Sequence, residues 1–248
     1  MDDPSTIEGP VLGGKPTQIK LLSSPQFKAY PYLDKFFAWV NPTFMRAHSH
    51  LMSTENPDGT ETRRFETVDK MLEELAMPEG FTYLITSKPE DGLSNGHAER
   101  ESRGPEIFAT VSGRPFKGTR ATETYAGDRD ARLHAEFSAQ GIQQWEIKTV
   151  IVGGNLQGHG LGKIVMNLAE AEFVRRFQVA KLQHAQEGRV DEGSWRGVQA
   201  MLTTVTEVNA GFYEKCGYRK WEVTTIPEGS FFSNNEFEVS WMIKDLPC

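Results

Sequence analysis

Two cysteines in 248 residues, Cys216 and Cys248, are too few for a disulfide framework, and such sparing use agrees with a reducing compartment. A chain of this length buries enough apolar surface to stand without covalent staples. No apolar run approaches the ~20 residues of a membrane span. Positive charge is also short: 27 Lys and Arg against 34 Asp and Glu leave a net charge of −7, the reverse of the basic stripe that nucleic acid requires. The acidic start, Met1-Asp2-Asp3-Pro4, lacks the basic and apolar regions of a signal peptide. No internal repeat or low-complexity tract interrupts the text. These absences predict a cytoplasmic protein, monomer or homodimer, with neither a membrane nor a nucleic acid as partner. The length falls between one and two average domains, and the reading is an irregular arm over 1–16 followed by one domain over 17–248.

In chain order, Gly9, Pro10, Gly13, Gly14 and Pro16 keep the arm irregular. Thr17 to Leu22 alternates and predicts a first strand. From Pro25 the period changes: Phe27, Tyr30, Leu33, Phe36, Phe37, Val40 and Phe44 recur at helical steps, with interruptions expected at Pro31 and Pro42. Thr67 to Leu75 reads as a short helix stopped by Pro78-Glu79-Gly80. Phe81 to Thr86 and Ile107 to Val111 read as strands separated by a polar loop over 87–105. A short helix is expected around Asp128 to Ala139. Gln183 to Gly197 reads as a polar connection, Gln199 to Val205 as a strand, and Val208 to Cys216 as a helix that Gly217 terminates. Strands over Tyr218 to Thr225 and Glu236 to Ile243 complete the order.

The stretch that organises the rest is Trp145 to Phe177. Trp145 to Val152 is apolar and β-branched, the composition of a buried strand. Gly153-Gly154-Asn155 breaks it, Gln157-Gly158-His159-Gly160-Leu161-Gly162-Lys163 follows, and then apolar residues recur at helical spacing. The first N–H groups of a helix lack intrahelical partners and the dipole makes that end partly positive, so a strand, glycine loop and helix start can receive a diphosphate. Spacing selects among the families that use this. A P-loop ending at Gly162-Lys163 needs Gly at 157 and Ser or Thr at 164, where Gln157 and Ile164 stand. A dinucleotide fingerprint begun at Gly158 or Gly160 needs a third glycine where Lys163 or Val165 stands.

What fits is Q-x-x-G-x-G at Gln157, Gly160 and Gly162, which resembles the acetyl-CoA pyrophosphate loop of the GNAT superfamily of N-acyltransferases. A second block, Asn209-Ala210-Gly211-Phe212-Tyr213-Glu214-Lys215-Cys216-Gly217-Tyr218, is similar to that family's F-Y-x-K-x-G-[FY] block. The resemblance covers roughly 145–221. It implies an α/β GNAT fold, a mixed, mostly antiparallel central sheet flanked by helices. It also implies acetyl-CoA as cofactor and CoA as product.

The resemblance then assigns roles. Glu146, eleven residues before Gln157, matches the glutamate that serves as base in many members; the alternative is a solvated glutamate paired with Lys148, two residues away on the same face. Tyr213 matches the tyrosine beside the cofactor sulfur; the alternative is a core tyrosine packing its helix. Cofactor contacts are expected from Val150, Ile151 and Val152 along the strand, and from Gln157, Gly158, His159, Gly160, Leu161, Gly162 and Lys163 in the loop, with Gly153 and Gly154 marking a bulge. Asn209 is a further cofactor candidate, although the family asparagine seven residues before the tyrosine falls on Thr206 here. Phe37, His48 and His50 lie where such folds shape the acceptor pocket. His48-Ser49-His50 has no cysteine or carboxylate cluster beside it and does not predict a metal site.

The expected activity is transfer of an acetyl group from acetyl-CoA to a primary amine by direct attack on the thioester. A small-molecule acceptor is preferred, with a protein or peptide acetyltransferase or a non-catalytic acyl-CoA-binding module as alternatives.

Overall fold

Strands and helices begin where the apolar period changes. A computed structural model describes residues 6–53, 55, 59–88, 104–119, 127–186, 195–230 and 233–248. Eight strands form one mixed sheet: β1 (Thr6–Glu8), β2 (Thr17–Ser23), β3 (Phe81–Ser87), β4 (Ile107–Pro115), β5 (Ile142–Val152), β6 (Gly197–Val205), β7 (Arg219–Ile226) and β8 (Phe237–Leu246). Their order across the sheet is β1-β2-β3-β4-β5-β6-β8-β7. The helices are α1 (Ser24–Lys28), α2 (Leu33–His48), α3 (Val68–Leu75), α4 (Arg129–Ser138), α5 (Leu161–Gln186) and α6 (Gly211–Lys215). The fold is α/β with a mostly antiparallel sheet, as expected. The chain divides into two compact units, the described residues of 1–47, 63–112 and 149–165 in one and those of 48–62, 113–148 and 166–248 in the other. Strands β4 and β5 pass from one unit to the other, so the division does not follow the sequence.

In the first unit, β1 pairs antiparallel with β2 and β2 with β3, and Ile19 faces Ile7 on one side and Ile85 on the other. The arm expected to be irregular therefore contributes a strand: Thr6–Glu8 takes up the free edge of β2. The core of this unit joins Leu22, Phe27, Phe36, Val40, Met71, Leu84 and Ile151, with Phe27 and Phe36 edge to face at 5.3 Å. Thr67 caps α3 by accepting from the Lys70 N–H at 3.1 Å. Helix α2 runs through Pro42, where a break was expected. Pro42 and Ala38 both stand on the exposed face, so the Ala38 carbonyl that loses its donor is open to solvent. The neighbouring side chains bond back on the helix, the Thr43 hydroxyl donating to the Trp39 carbonyl at 2.7 Å and the Asn41 amide to the Phe37 carbonyl at 3.4 Å.

In the second unit, β5 and β6 run parallel for five pairs, Ile142 with Gly197 to Glu146 with Met201. Strand β8 then pairs antiparallel with both β6 and β7. Phe116, Leu133, Phe137, Met201, Phe237 and Trp241 fill the core, and the Trp241 indole N–H donates to Asp130 at 2.9 Å. Helix α5 docks through Phe173 and Phe177, with Phe173 stacked on Trp145 at 5.2 Å. On the same helix Glu172 is buried, and Arg175 and Arg176 each donate to it at 2.6 Å. Helix α5 continues to Gln186, beyond the break expected at Gln183. Most of the polar loop expected over 87–105 lies outside the described residues.

Candidate functional site

Within the first unit, the strand end and the start of α5 frame a loop whose shape its glycines dictate. The Gly153 N–H donates to the Phe108 carbonyl at 2.9 Å and ties the end of β5 to β4. A single 3₁₀ turn over Gly154–Leu156 follows. Gly158 and Gly160 then adopt φ of 81° and 79°, a region open to glycine and strained for residues with a Cβ. A Cβ at either position would meet nothing within 4 Å, so the space above this backbone is open. The first intrahelical bond of α5 is Ile164 N–H to Gly160 carbonyl at 3.1 Å. The amides of Leu161, Gly162 and Lys163 therefore precede the helical ladder, as first-turn donors must. The Leu161 side chain is buried and anchors the turn, while Gln157, His159 and Lys163 are exposed. The His159 ring Nδ1 lies 3.1 Å from the Gln157 carbonyl, so this histidine folds back on its own loop.

Before the loop, Ile151 packs into the core, and Val150 and Val152 are half-buried. The backbone irregularity expected at Gly153 and Gly154 falls instead at Thr149, whose φ of 53° is a marked outlier for a β-branched residue. Its hydroxyl is buried and has no hydrogen-bond partner among the described residues.

Glu146 belongs to the second unit and is 0% exposed. Its carboxylate is therefore not solvated, although it does stand beside Lys148. Arg114 Nε donates to its Oε2 at 2.6 Å, and Lys148 Nζ stands 3.7 Å from its Oε1. The antiparallel contact of β4 with β5, marked by the Phe116 N–H donating to the Gln144 carbonyl at 3.0 Å, brings Arg114 beside Glu146. Nothing in the local sequence around either residue announces this pair.

Tyr213, also in the second unit, lies on α6. That short helix follows a π-helical turn over Thr206–Ala210, and such turns gather at functional sites. Gly217, with φ of 90°, closes the helix: the Tyr218 N–H donates to the Tyr213 carbonyl at 3.0 Å and the Gly217 N–H to the Glu214 carbonyl at 2.9 Å. Tyr213 is buried, and burial, helped by the nearby Cys216, pushes its phenol well above the ordinary value. Tyr218 is raised too, by burial and then by Glu170, to which its hydroxyl donates at 3.0 Å. Lys244 braces the same carboxylate at 2.7 Å. Cys216, at the C-terminal end of this helix, is half-buried.

Asn209 is half-buried in the π turn. Thr206, which stands where the family asparagine falls, shares a hydrogen bond with the Ser240 hydroxyl at 2.7 Å. Among the acceptor-side candidates, Phe37 packs against the first core and His50 is exposed, while His48 is 5% exposed, a buried histidine. Among the described residues no group of three His, Cys, Asp or Glu is arranged to hold a metal ion, and no helix is long and apolar enough to cross a membrane.

No family model and no curated protein matches the sequence. Solved structures similar to this chain include NAA60 of Arabidopsis thaliana in complex with acetyl-CoA, at 9% identity and TM-score 0.47, over 92% of this chain and 98% of that one. A GNAT-family acetyltransferase of Streptococcus pneumoniae follows at 13% identity and TM-score 0.44, over 93% and 99%. The ribosomal-protein-S18-alanine N-acetyltransferase of Escherichia coli is similar at 8% identity and TM-score 0.45, over 94% and 95%.

Proposed function

We propose that this chain is an acetyl-CoA-dependent N-acetyltransferase of GNAT type that acetylates a primary amine of a small molecule. The observation that carries the reading is the loop. Gly158 and Gly160 hold left-handed backbone under open space, immediately before the donor-rich start of a 26-residue helix. A diphosphate fits that place by charge and by shape. A second support is the edge of β5. Its pairing with β6 ends at Glu146 although β5 runs on to Val152, so Val150 and Val152 keep backbone groups for an extended amide-bearing arm, in the manner of an added strand.

When bound, acetyl-CoA supplies an acyl group activated as a thioester. The residues of this chain do the rest. The amides of 161–163 and the ammonium of Lys163 would hold the diphosphate, and the β5 edge would orient the arm. Glu146 would take the proton of the acceptor ammonium through water, leaving a neutral amine able to attack the acyl carbon with loss of the thiolate; the second amine proton would pass through solvent to the sulfur. Arg114 fixes the carboxylate's orientation through Oε2. Tyr213 would donate a hydrogen bond to the departing sulfur. Its raised phenol keeps the proton at neutral pH, so it acts as a donor of a hydrogen bond and not as an acid that ionises.

Thiol release from acetyl-CoA, measured against polyamines, arylalkylamines, amino acids and peptides, tests the proposal. Turnover with a small amine and little with peptides supports it. Turnover confined to peptides transfers the assignment to a protein acetyltransferase, and tight CoA binding without release under any acceptor leaves a binding module.

A further inference from the structure

Arg46 lies in the last turn of α2, where a cation also complements the helix dipole, so its position on the helix alone assigns it no ligand. Two observations carry it further. The guanidinium is laid on the glycine loop: a Cβ at Gly154 would stand 3.0 Å from Arg46 Nη1 and 3.8 Å from its Cδ. A side chain at 154 would displace it, and its absence lets an exposed arginine rest on the backbone of the 3₁₀ turn. The loop is also free of acidic residues in an acidic protein. Between Glu146 and Glu170 there is no Asp or Glu, and Lys163 stands exposed at the helix start, in a chain of net charge −7. Arg46 adds a planar, permanently charged fork, the geometry that matches phosphate oxygens two at a time.

We propose that Arg46 is a further cofactor-binding residue, whose guanidinium takes oxygens of the CoA diphosphate from the strand end of the loop while the amides of 161–163 take them from the helix end. This deepens the acetyltransferase reading and rests on it. Phosphate in CoA has two sources, the diphosphate and the 3′-phosphate of the ribose, and dephospho-CoA separates them.

Calorimetric titration of wild type, Arg46→Gln and Arg46→Lys with CoA and with dephospho-CoA is the test, run beside thermal melts of each variant. The expected result is a loss of tenfold or more in affinity for both ligands in Arg46→Gln, equal for the two, with partial recovery in Arg46→Lys. Salt should weaken CoA binding less steeply in Arg46→Gln than in wild type, because one charge pair is gone. Equal affinities in wild type and Arg46→Gln overturn the proposal and leave Arg46 as a helix-end charge. A loss with CoA and none with dephospho-CoA overturns the diphosphate assignment in favour of the 3′-phosphate. Wild-type protein that binds neither ligand removes the acetyltransferase reading itself, an outcome distinct from both. If Arg46→Gln melts early, Arg46→Lys decides alone: affinity within twofold of wild type for both ligands overturns the proposal, and any larger loss for both sustains it.

Discussion

At Tyr213 burial and chemistry point the same way. A phenol raised by burial stays protonated across the neutral range, and a hydrogen bond to a charged partner contributes about 1.5–3 kcal/mol. Tyr213→Phe should therefore lower kcat roughly 10- to 100-fold with CoA affinity within a factor of two; single-turnover acetyl transfer and calorimetry check the two halves. Glu146 needs a finer separation, because it is buried and ion-paired. Glu146→Gln should lower kcat by about 10²- to 10⁴-fold and also lower the melting temperature, since it leaves Arg114 without its charged partner. Assay well below the variant's own melting point distinguishes the two effects: a kcat that recovers there identifies Glu146 as structural only. At Gly160, φ of 79° with open space around the missing Cβ means that Gly160→Ala strains the backbone without a clash. We expect about 1–2 kcal/mol of destabilisation in chemical denaturation and a larger loss of CoA affinity, because the methyl group occupies the room above the amides.

Among the elements, α2 shows what sequence carries and what it hides. Its apolar period was legible, but its passage through Pro42 was not: the carbonyl that the proline leaves without a donor, that of Ala38, stands with Pro42 on the exposed face, where water can meet it, and the period does not weigh that. Asn41 also accepts from the Phe65 N–H at 2.8 Å in a buried setting. Asn41→Ala leaves that N–H unsatisfied, so a loss of about 1–3 kcal/mol is expected, read as a lower denaturation midpoint at unchanged m-value. The glycine loop was legible because its requirement is local: left-handed backbone needs glycine wherever it occurs, and the spacing of Gln157, Gly160 and Gly162 is written along one stretch. Gly217 was legible for the same reason. Arg114 was not, since it meets Glu146 only through the register of β4 on β5, 32 positions apart in sequence. Nor was the strain at Thr149, which a run of β-branched residues conceals. The strand Thr6–Glu8 was missed because a three-residue edge strand carries too short a pattern to read.

Across the whole molecule, the buried phenols of Tyr30, Tyr213 and Tyr218 and the buried, ion-paired Glu172 set limits on the pH range of the fold. Burial, with Tyr32 nearby, pushes Tyr30 up to about 12, and Tyr213 and Tyr218 are raised as well. An unfolded tyrosine titrates near ~10. Above that pH the unfolded chain releases protons that the folded chain retains, so stability is full below pH about 10 and is lost as the pH rises toward the folded values. Glu172 acts at the other end. Burial alone would raise it, but the hydrogen bonds from Arg175 and Arg176 outweigh that and lower it. Its contribution is present above the unfolded value of about 4.3 and is lost as the pH falls through its lowered folded value. Melting temperatures recorded from pH 3 to 12 should trace a plateau bounded by these two losses, with the alkaline fall accompanied by delayed tyrosinate absorbance. Substitution of Glu172 by Gln should remove part of the acid-side decline.

The place of β8 has a consequence for how the protein comes to be made. It follows every other strand in sequence, yet it lies between β6 and β7 and pairs with both along its length. A nascent chain that has reached β7 holds a strand with no neighbour to lie against, and residues 237–246 must leave the ribosome before that half of the sheet can close. Premature stop codons anywhere upstream of 237 should therefore yield not a shortened working protein but a polypeptide that quality-control proteases remove.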